Sequence, residues 1–234
     1  MAQRSQIEPV VYSSLGLQTL CNTIQETGTC DILELGPIRG SNIEFWSRFS
    51  PFIFVADLRS SLPLPVSYSE EGEFVEPDWE HILNLPDGRS YNVILTWDLF
   101  NYMEISAVSS LVRYLNSYCR PNALLLALIF DRKEMPEKIT VYRVVDETHL
   151  AYEYAGTEMR DCLRHQPRIL SSAMSNFSAF ESYRLRNGMV EYVYAYEGKN
   201  LYYGNMPSNI GAYPNQETIT RAEKVEVTTD KIPH

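Results

Sequence analysis

Apolar positions along this chain alternate between helical and extended spacing. Leu17, Leu20, Cys21 and Ile24 stand at i, i+3, i+4 and i+7, with Ser13 or Ser14 placed to cap the start and Gly28 just past the end. Asp31-Ile32-Leu33-Glu34-Leu35 then reads as a strand, broken by Gly36-Pro37. Phe45, Trp46 and Phe49 form a second helical stripe that stops before Pro51. Phe52 to Ala56 is an unbroken apolar run closed by Asp57, which predicts a strand buried on both faces. Strand, helix and strand in this order make a βαβ unit.

From Arg59 to Pro77 the texture changes. Pro63, Pro65, Pro77 and a run of acidic residues predict an irregular connection. Asp78 to Leu85 fits a short helix or a strand equally well, and Leu85-Pro86-Asp87-Gly88 is a turn. Tyr91 to Thr96 is a buried strand, and Val108, Leu111, Val112, Leu115 and Cys119 give the helix that follows. Ala123 to Phe130, the most apolar stretch, belongs in the middle of a sheet. Residues 140–145 and 150–154 suggest two short strands above that sheet, and Ile169 to Phe177 a last helix. Phe180 to Arg186 and Met189 to Tyr196 flank Asn187-Gly188 as a hairpin. The expected organisation is one α/β domain over residues 1–198, with an insertion at 133–168 as substrate cap, and a polar segment at 199–234 that is either a tail or a partner-docking arm.

Composition narrows the function. Among 234 residues, Lys plus Arg number 20 against 30 Asp plus Glu, for a formal charge of −10, so the global field repels nucleic acid and anionic membranes. The longest apolar run falls well short of the roughly 20 residues that span a bilayer. No membrane segment or signal peptide is expected. Cys21, Cys30, Cys119 and Cys162 form no CxxC pair and lack zinc-ligand spacing to any histidine, which predicts reduced thiols in a cytoplasmic protein and no metal. The acidic run from Glu70 to Glu80 reads as a solvated face or as an attractor of a basic substrate.

Open α/β sheets bind ligands beyond the carboxyl ends of their strands, where strand order reverses. Gly36 and Gly40 lie on the first such turn, where bare backbone lets a ligand come close. GPIRG is not GxGxxG, and no Lys-Ser/Thr follows, so nicotinamide cofactors and nucleoside triphosphates are disfavoured. Asp57, at the tip of the next strand, has the acceptors to take both vicinal hydroxyls of a ribose. Glu34 is either a cofactor contact or a polar residue near a helix start, and Asp98 either an active-site group or a helix cap. Asn101 and Tyr102 are candidates to hold a substrate heteroatom, or else pack the start of the next helix. His149 is a candidate general base or a solvated turn histidine.

The segments LELGPIRGSN, VADL and LPDGRSYNVILTWDLFNYM, followed by a helix, Arg-Pro-Asn and ALLLALIFD, resemble the class I S-adenosylmethionine-dependent methyltransferases. The resemblance covers about residues 31 to 131, and the hairpin at 180–196 is similar to the last two strands of that fold. It implies a Rossmann-like, mostly parallel seven-stranded sheet with helices on both faces and a terminal antiparallel hairpin. It also implies S-adenosylmethionine as cofactor and methyl transfer to an acceptor, for which a small molecule is expected. Glu34, Gly36 and Gly40 fall on the family's first motif, with Ile38 in place of its middle glycine. The ribose-binding acid falls on Asp57, the adenine contact on His81 or Ile82, and the strand-end motif on Trp97, Asp98 and Leu99. The competing expectation is a methyltransferase-like scaffold or regulatory subunit without catalysis.

Overall fold

The computed structural model describes residues 9–198 except 29, 63, 65 and 66. The expected tail at 199–234 lies outside the described residues. In chain order the elements are β1 (Val10–Ser13), α1 (Leu15–Thr27), β2 (Asp31–Glu34), α2 (Gly40–Trp46), β3 (Phe52–Val55), β4 (Ser67–Tyr68), β5 (Phe74–Val75) and α3 (Trp79–Leu83). Then follow β6 (Tyr91–Trp97), α4 (Ile105–Leu115), β7 (Cys119–Phe130), β8 (Glu134–Pro136), β9 (Val141–Val144), β10 (His149–Glu153), β11 (Met159–Asp161), α5 (Pro167–Ala173), β12 (Phe177–Arg184) and β13 (Met189–Tyr196).

Local chemistry accounts for the element ends. Ser14 accepts a hydrogen bond from Leu17 N at 3.1 Å, and Gly28, at φ +88°, returns its N–H to Ile24 O to close α1. The buried face of α1 includes Leu17, Leu20, Cys21 and Ile24, the residues of the helical spacing. Each fully buried Leu or Ile there contributes roughly 2 kcal/mol of hydrophobic stabilisation. Between β12 and β13, Gly188 takes φ +78° and Asn187 Oδ1 accepts from Met189 N, the geometry that the Asn-Gly pair favours.

The main sheet is mixed and runs β12-β13-β7-β6-β2-β3. β3, β2, β6 and β7 are parallel, whereas β13 is antiparallel to both β7 and β12. The side chains of β7 are buried from Ala123 to Phe130, as expected for a strand flanked by β6 and β13. Side-chain alternation separates the two faces. Gly16 of α1 lies against Leu126 and Glu191, while Ile129, Val190 and Tyr192 face the other way, toward Pro167 at the start of α5.

Two expectations are corrected. The main sheet has six strands among the described residues instead of seven, because the segment after β3 supplies none. It forms a 3-10 turn (Leu58–Ser61), the two-residue ladder β4–β5 and the helix α3. Prolines lack the N–H that a strand ladder requires, and the acidic run resists burial. As a result β3 lies at the sheet edge with all four residues half-buried, not covered on both faces.

β9 and β10 pair antiparallel, and β1, which the apolar pattern left unassigned, adds to β10 to complete a three-stranded sheet. This small sheet is held over the carboxyl ends of β2 and β6 by Asn42 of α2, which donates to Tyr142 O and to Glu34 and accepts from Val144 N, and by Thr140 N, which donates to Asp98.

Candidate functional site

The turn after β2 brings two strand ends together. An ideal Cβ built on Gly36 falls 2.6 Å from Trp97 Cδ1, so only glycine fits there. Trp97 ends β6 at φ +49°, a conformation uncommon for a bulky residue. Its indole stacks on Tyr142 of β9 with centroids 5.5 Å apart and planes 9° from parallel. Trp97 Nε1 donates to Glu34 Oε1 at 3.1 Å, and Asn42 Nδ2 donates to the same oxygen at 3.2 Å. Glu34 is 1% exposed, and its Oε2 is buried without a hydrogen-bond partner. Burial therefore raises its pKa against the pull of those two donors.

Asp98, the next residue of the chain, is fully buried. Thr140 N donates to Oδ2 at 3.2 Å, and Oδ1 has no partner. Burial pushes this carboxyl from 3.8 up to about 7, opposed by Thr140 and by the charge of Arg132. Tyr102 donates its hydroxyl to Lys138 O at 2.9 Å, and burial followed by the Asp98 charge raises its phenol. Across the small sheet, Glu191 accepts from Gly16 N at 2.8 Å at the start of α1, while its Oε1 also lacks a partner. Burial raises that carboxyl as well. Buried acids with orphaned oxygens are costly, and such sites cluster where a fold serves a ligand.

The structure sets Gly36 against Trp97, joins Trp97 to Glu34 and places Asp98 next in the chain, while main-chain hydrogen bonds from Ala56 N to Glu34 O and from Leu58 N to Leu35 O hold the Asp57 turn beside the end of β2. Asp57 stands just beyond β3, its side chain 26% exposed, accepting from Arg59 N at 3.1 Å and from the Arg59 guanidinium at 3.3 Å. Gly40 opens α2 with nothing within 4 Å of an added Cβ, so close packing does not require a glycine there. Ile38 is 62% exposed and leaves the turn uncovered. His81 is exposed on α3, its N–H donating to the cap residue Asp78, and Ile82 packs half-buried against the core. Asn101 ties main chain together: Nδ2 donates to Asp98 O and Leu128 O, each at 2.8 Å, and Oδ1 accepts from Phe130 N. His149, partly exposed at the start of β10, donates Nδ1–H to Asp146. That contact, after the stronger Thr148 donors, helps hold the Asp146 carboxyl down at about 2.

The sequence reading missed Asn42, Thr140 and Tyr142. Asn42 lies within LELGPIRGSN on a helix whose other buried side chains are aromatic, and a buried amide there was the available signal. Among the described residues no cluster of His, Cys, Asp or Glu is arranged to hold a metal ion. Nor is any described helix long and apolar enough to cross a membrane. The four cysteines are free thiols.

No protein-family model and no curated protein sequence matches the chain. Solved structures do. A S-adenosylmethionine-dependent methyltransferase from Clostridium acetobutylicum superposes with a TM-score of 0.50 at 9% identity, over 78% of this chain and 91% of that one. An S-adenosylmethionine-bound amino pentose methyltransferase from Micromonospora echinaspora gives 0.47 at 10% identity, over 77% and 89%. The N-methyltransferase NodS from Bradyrhizobium japonicum gives 0.44 at 8%, over 77% and 93%. At these identities the likeness concerns architecture, and the chain has the α/β fold of the class I S-adenosylmethionine-dependent methyltransferases.

Proposed function

We propose that this chain transfers a methyl group from S-adenosylmethionine to a small-molecule acceptor in the cytoplasm. The observation that carries the reading is the pairing of a glycine-only turn with a buried, half-partnered carboxylate, Glu34, at the strand ends where this fold takes its ligand. The donor set suits the cofactor: a carboxylate with a spare buried oxygen for an ammonium group, and Asp57 for ribose hydroxyls. When bound, S-adenosylmethionine supplies a methyl group on a sulfonium that carries both the positive charge and the leaving group.

The remaining work falls to positioning. Glu34 would hold the cationic end of the cofactor, and Asp57 would orient its sugar. Asp98, titrating near neutrality, is suited to hydrogen-bond a protic acceptor and to take its proton. Trp97 and Tyr142 exclude water from the Glu34 carboxylate. The indole occupies the space beside Gly36, so cofactor binding on this reading requires it to swing aside.

That same indole favours a second reading, a binding scaffold of methyltransferase fold without catalysis, in which the Trp97–Tyr142 stack permanently fills the hollow. Thermal melting separates the two. S-adenosylmethionine or S-adenosylhomocysteine at 100 times its dissociation constant adds about 2.7 kcal/mol and raises the melting temperature, whereas NAD and ATP leave it unchanged. Absence of any shift with the first two compounds supports the scaffold.

A further inference from the structure

On the face of the sheet opposite α1, a cavity of about 490 Å³ opens at the carboxyl end of β7. Its volume lies in the range of small-molecule sites. Ile129, Val190 and the Tyr192 ring give it an apolar wall, and Arg164, His165 and Arg184 give it polar groups.

The charges there are unequal. Arg184 pairs with Asp131 Oδ2, and Arg164 reaches Asp131 Oδ1 only at 4.0 Å. One carboxylate thus serves two guanidinium groups, leaving local positive charge on a chain of formal charge −10. Arg164 also sits at φ +46°, where a long L-side chain is seldom found. Strained backbone that the surrounding fold maintains is more common at functional sites than elsewhere. The adjacent His165 is fixed by the main chain: its Nε2 lies 2.8 Å from Phe100 O. A carbonyl only accepts, so Nε2 carries a proton and the neutral ring offers Nδ1 as its acceptor. Phe100 belongs to the 3-10 turn directly after Asp98, which ties this cavity to the loop of the candidate site.

We propose that this cavity binds a small monocarboxylate with an apolar or aromatic body and one protic group. The Arg164 guanidinium takes the carboxylate in a charge-assisted contact, Ile129, Val190 and Tyr192 pack the body, and His165 Nδ1 accepts from the protic group. That this ligand is the methyl acceptor rests on the function proposed above, whereas its binding does not.

The test is calorimetry on the full chain with para-hydroxybenzoate, its neutral analogue para-hydroxybenzyl alcohol, and inorganic phosphate. Only the first is expected to bind, and it shifts the His165 ring resonances in nitrogen NMR. Arg164→Gly relieves the left-handed backbone, so it is expected to melt higher than the parent while binding para-hydroxybenzoate about tenfold or more weakly. Arg164→Lys keeps the charge, loses the fork and weakens binding by less. No binding of para-hydroxybenzoate, binding of the alcohol or phosphate equally well, or unchanged affinity in Arg164→Gly each overturns the site. Binding at this site without methylation of the compound in the presence of S-adenosylmethionine withdraws only the acceptor role.

Discussion

Asp98 follows the left-handed Trp97 and is fully buried, with the Thr140 N–H donating to its carboxylate. Its folded pKa, about 7, lies above the unfolded value, so the unfolded state gives up this proton first as the pH rises. The stability it carries is therefore complete below the ordinary aspartate range and lost as the pH climbs through about 7. The fold is expected to weaken by about 4 kcal/mol across that window on account of this residue. Urea unfolding near pH 5 and pH 8 measures the slope, and Asp98→Asn should flatten it; an unaltered slope would assign the effect elsewhere. Glu34 offers a complementary case. Glu34→Gln keeps an oxygen for Asn42 and Trp97 and removes the cost of a buried charge, so stability is expected to hold within about 1 kcal/mol. Binding of S-adenosylmethionine should fall in the same variant, and calorimetry at unchanged affinity would exclude this carboxylate from the cofactor site. The placement of Glu34 and Gly36 at the end of β2 was legible because a short apolar run followed by Gly-Pro marks a strand and its turn. The contact of the Trp97 indole with Gly36 and its stack on Tyr142 were not legible, since Tyr142 is far away in sequence.

At the scale of elements, α2 is joined to β9 by one amide. Asn42 Nδ2 donates to Tyr142 O, and its Oδ1 accepts from Val144 N at 2.9 Å. Asn42→Ala removes the partner of these two buried main-chain groups and one of the two donors to Glu34 Oε1, and is expected to cost about 2 to 3 kcal/mol by urea denaturation. A loss below half that figure would mean that the Trp97–Tyr142 stack and the Thr140–Asp98 hydrogen bond hold the small sheet in place without Asn42. Helix boundaries were readable where local chemistry sets them, as at Ser14 and Gly28 around α1. The two apolar runs show where that reading stops. Ala123–Phe130 and Phe52–Ala56 have the same texture, yet one lies mid-sheet and the other at an edge, because a strand's neighbours depend on whether another segment brings a matching ladder. The proline-rich stretch after β3 brings none, and β1 joins β10 from the opposite end of the domain.

For the whole molecule, the main sheet is an open one with β12 and β3 at its two edges. β13 inserts between β7 and β12, and every residue of the described core precedes Tyr196. Short-range pattern alone determined the α/β class, most of the helices, the central strand and the Asn-Gly hairpin, because each depends on burial periodicity and turn chemistry within a few residues. The strand count, the small sheet over the strand ends, the Trp97–Tyr142 stack and the orphaned oxygens of Glu34, Asp98 and Glu191 were decided only by tertiary structure. Those features join residues distant in the chain, and whether a buried polar atom finds a partner is settled only when the elements pack.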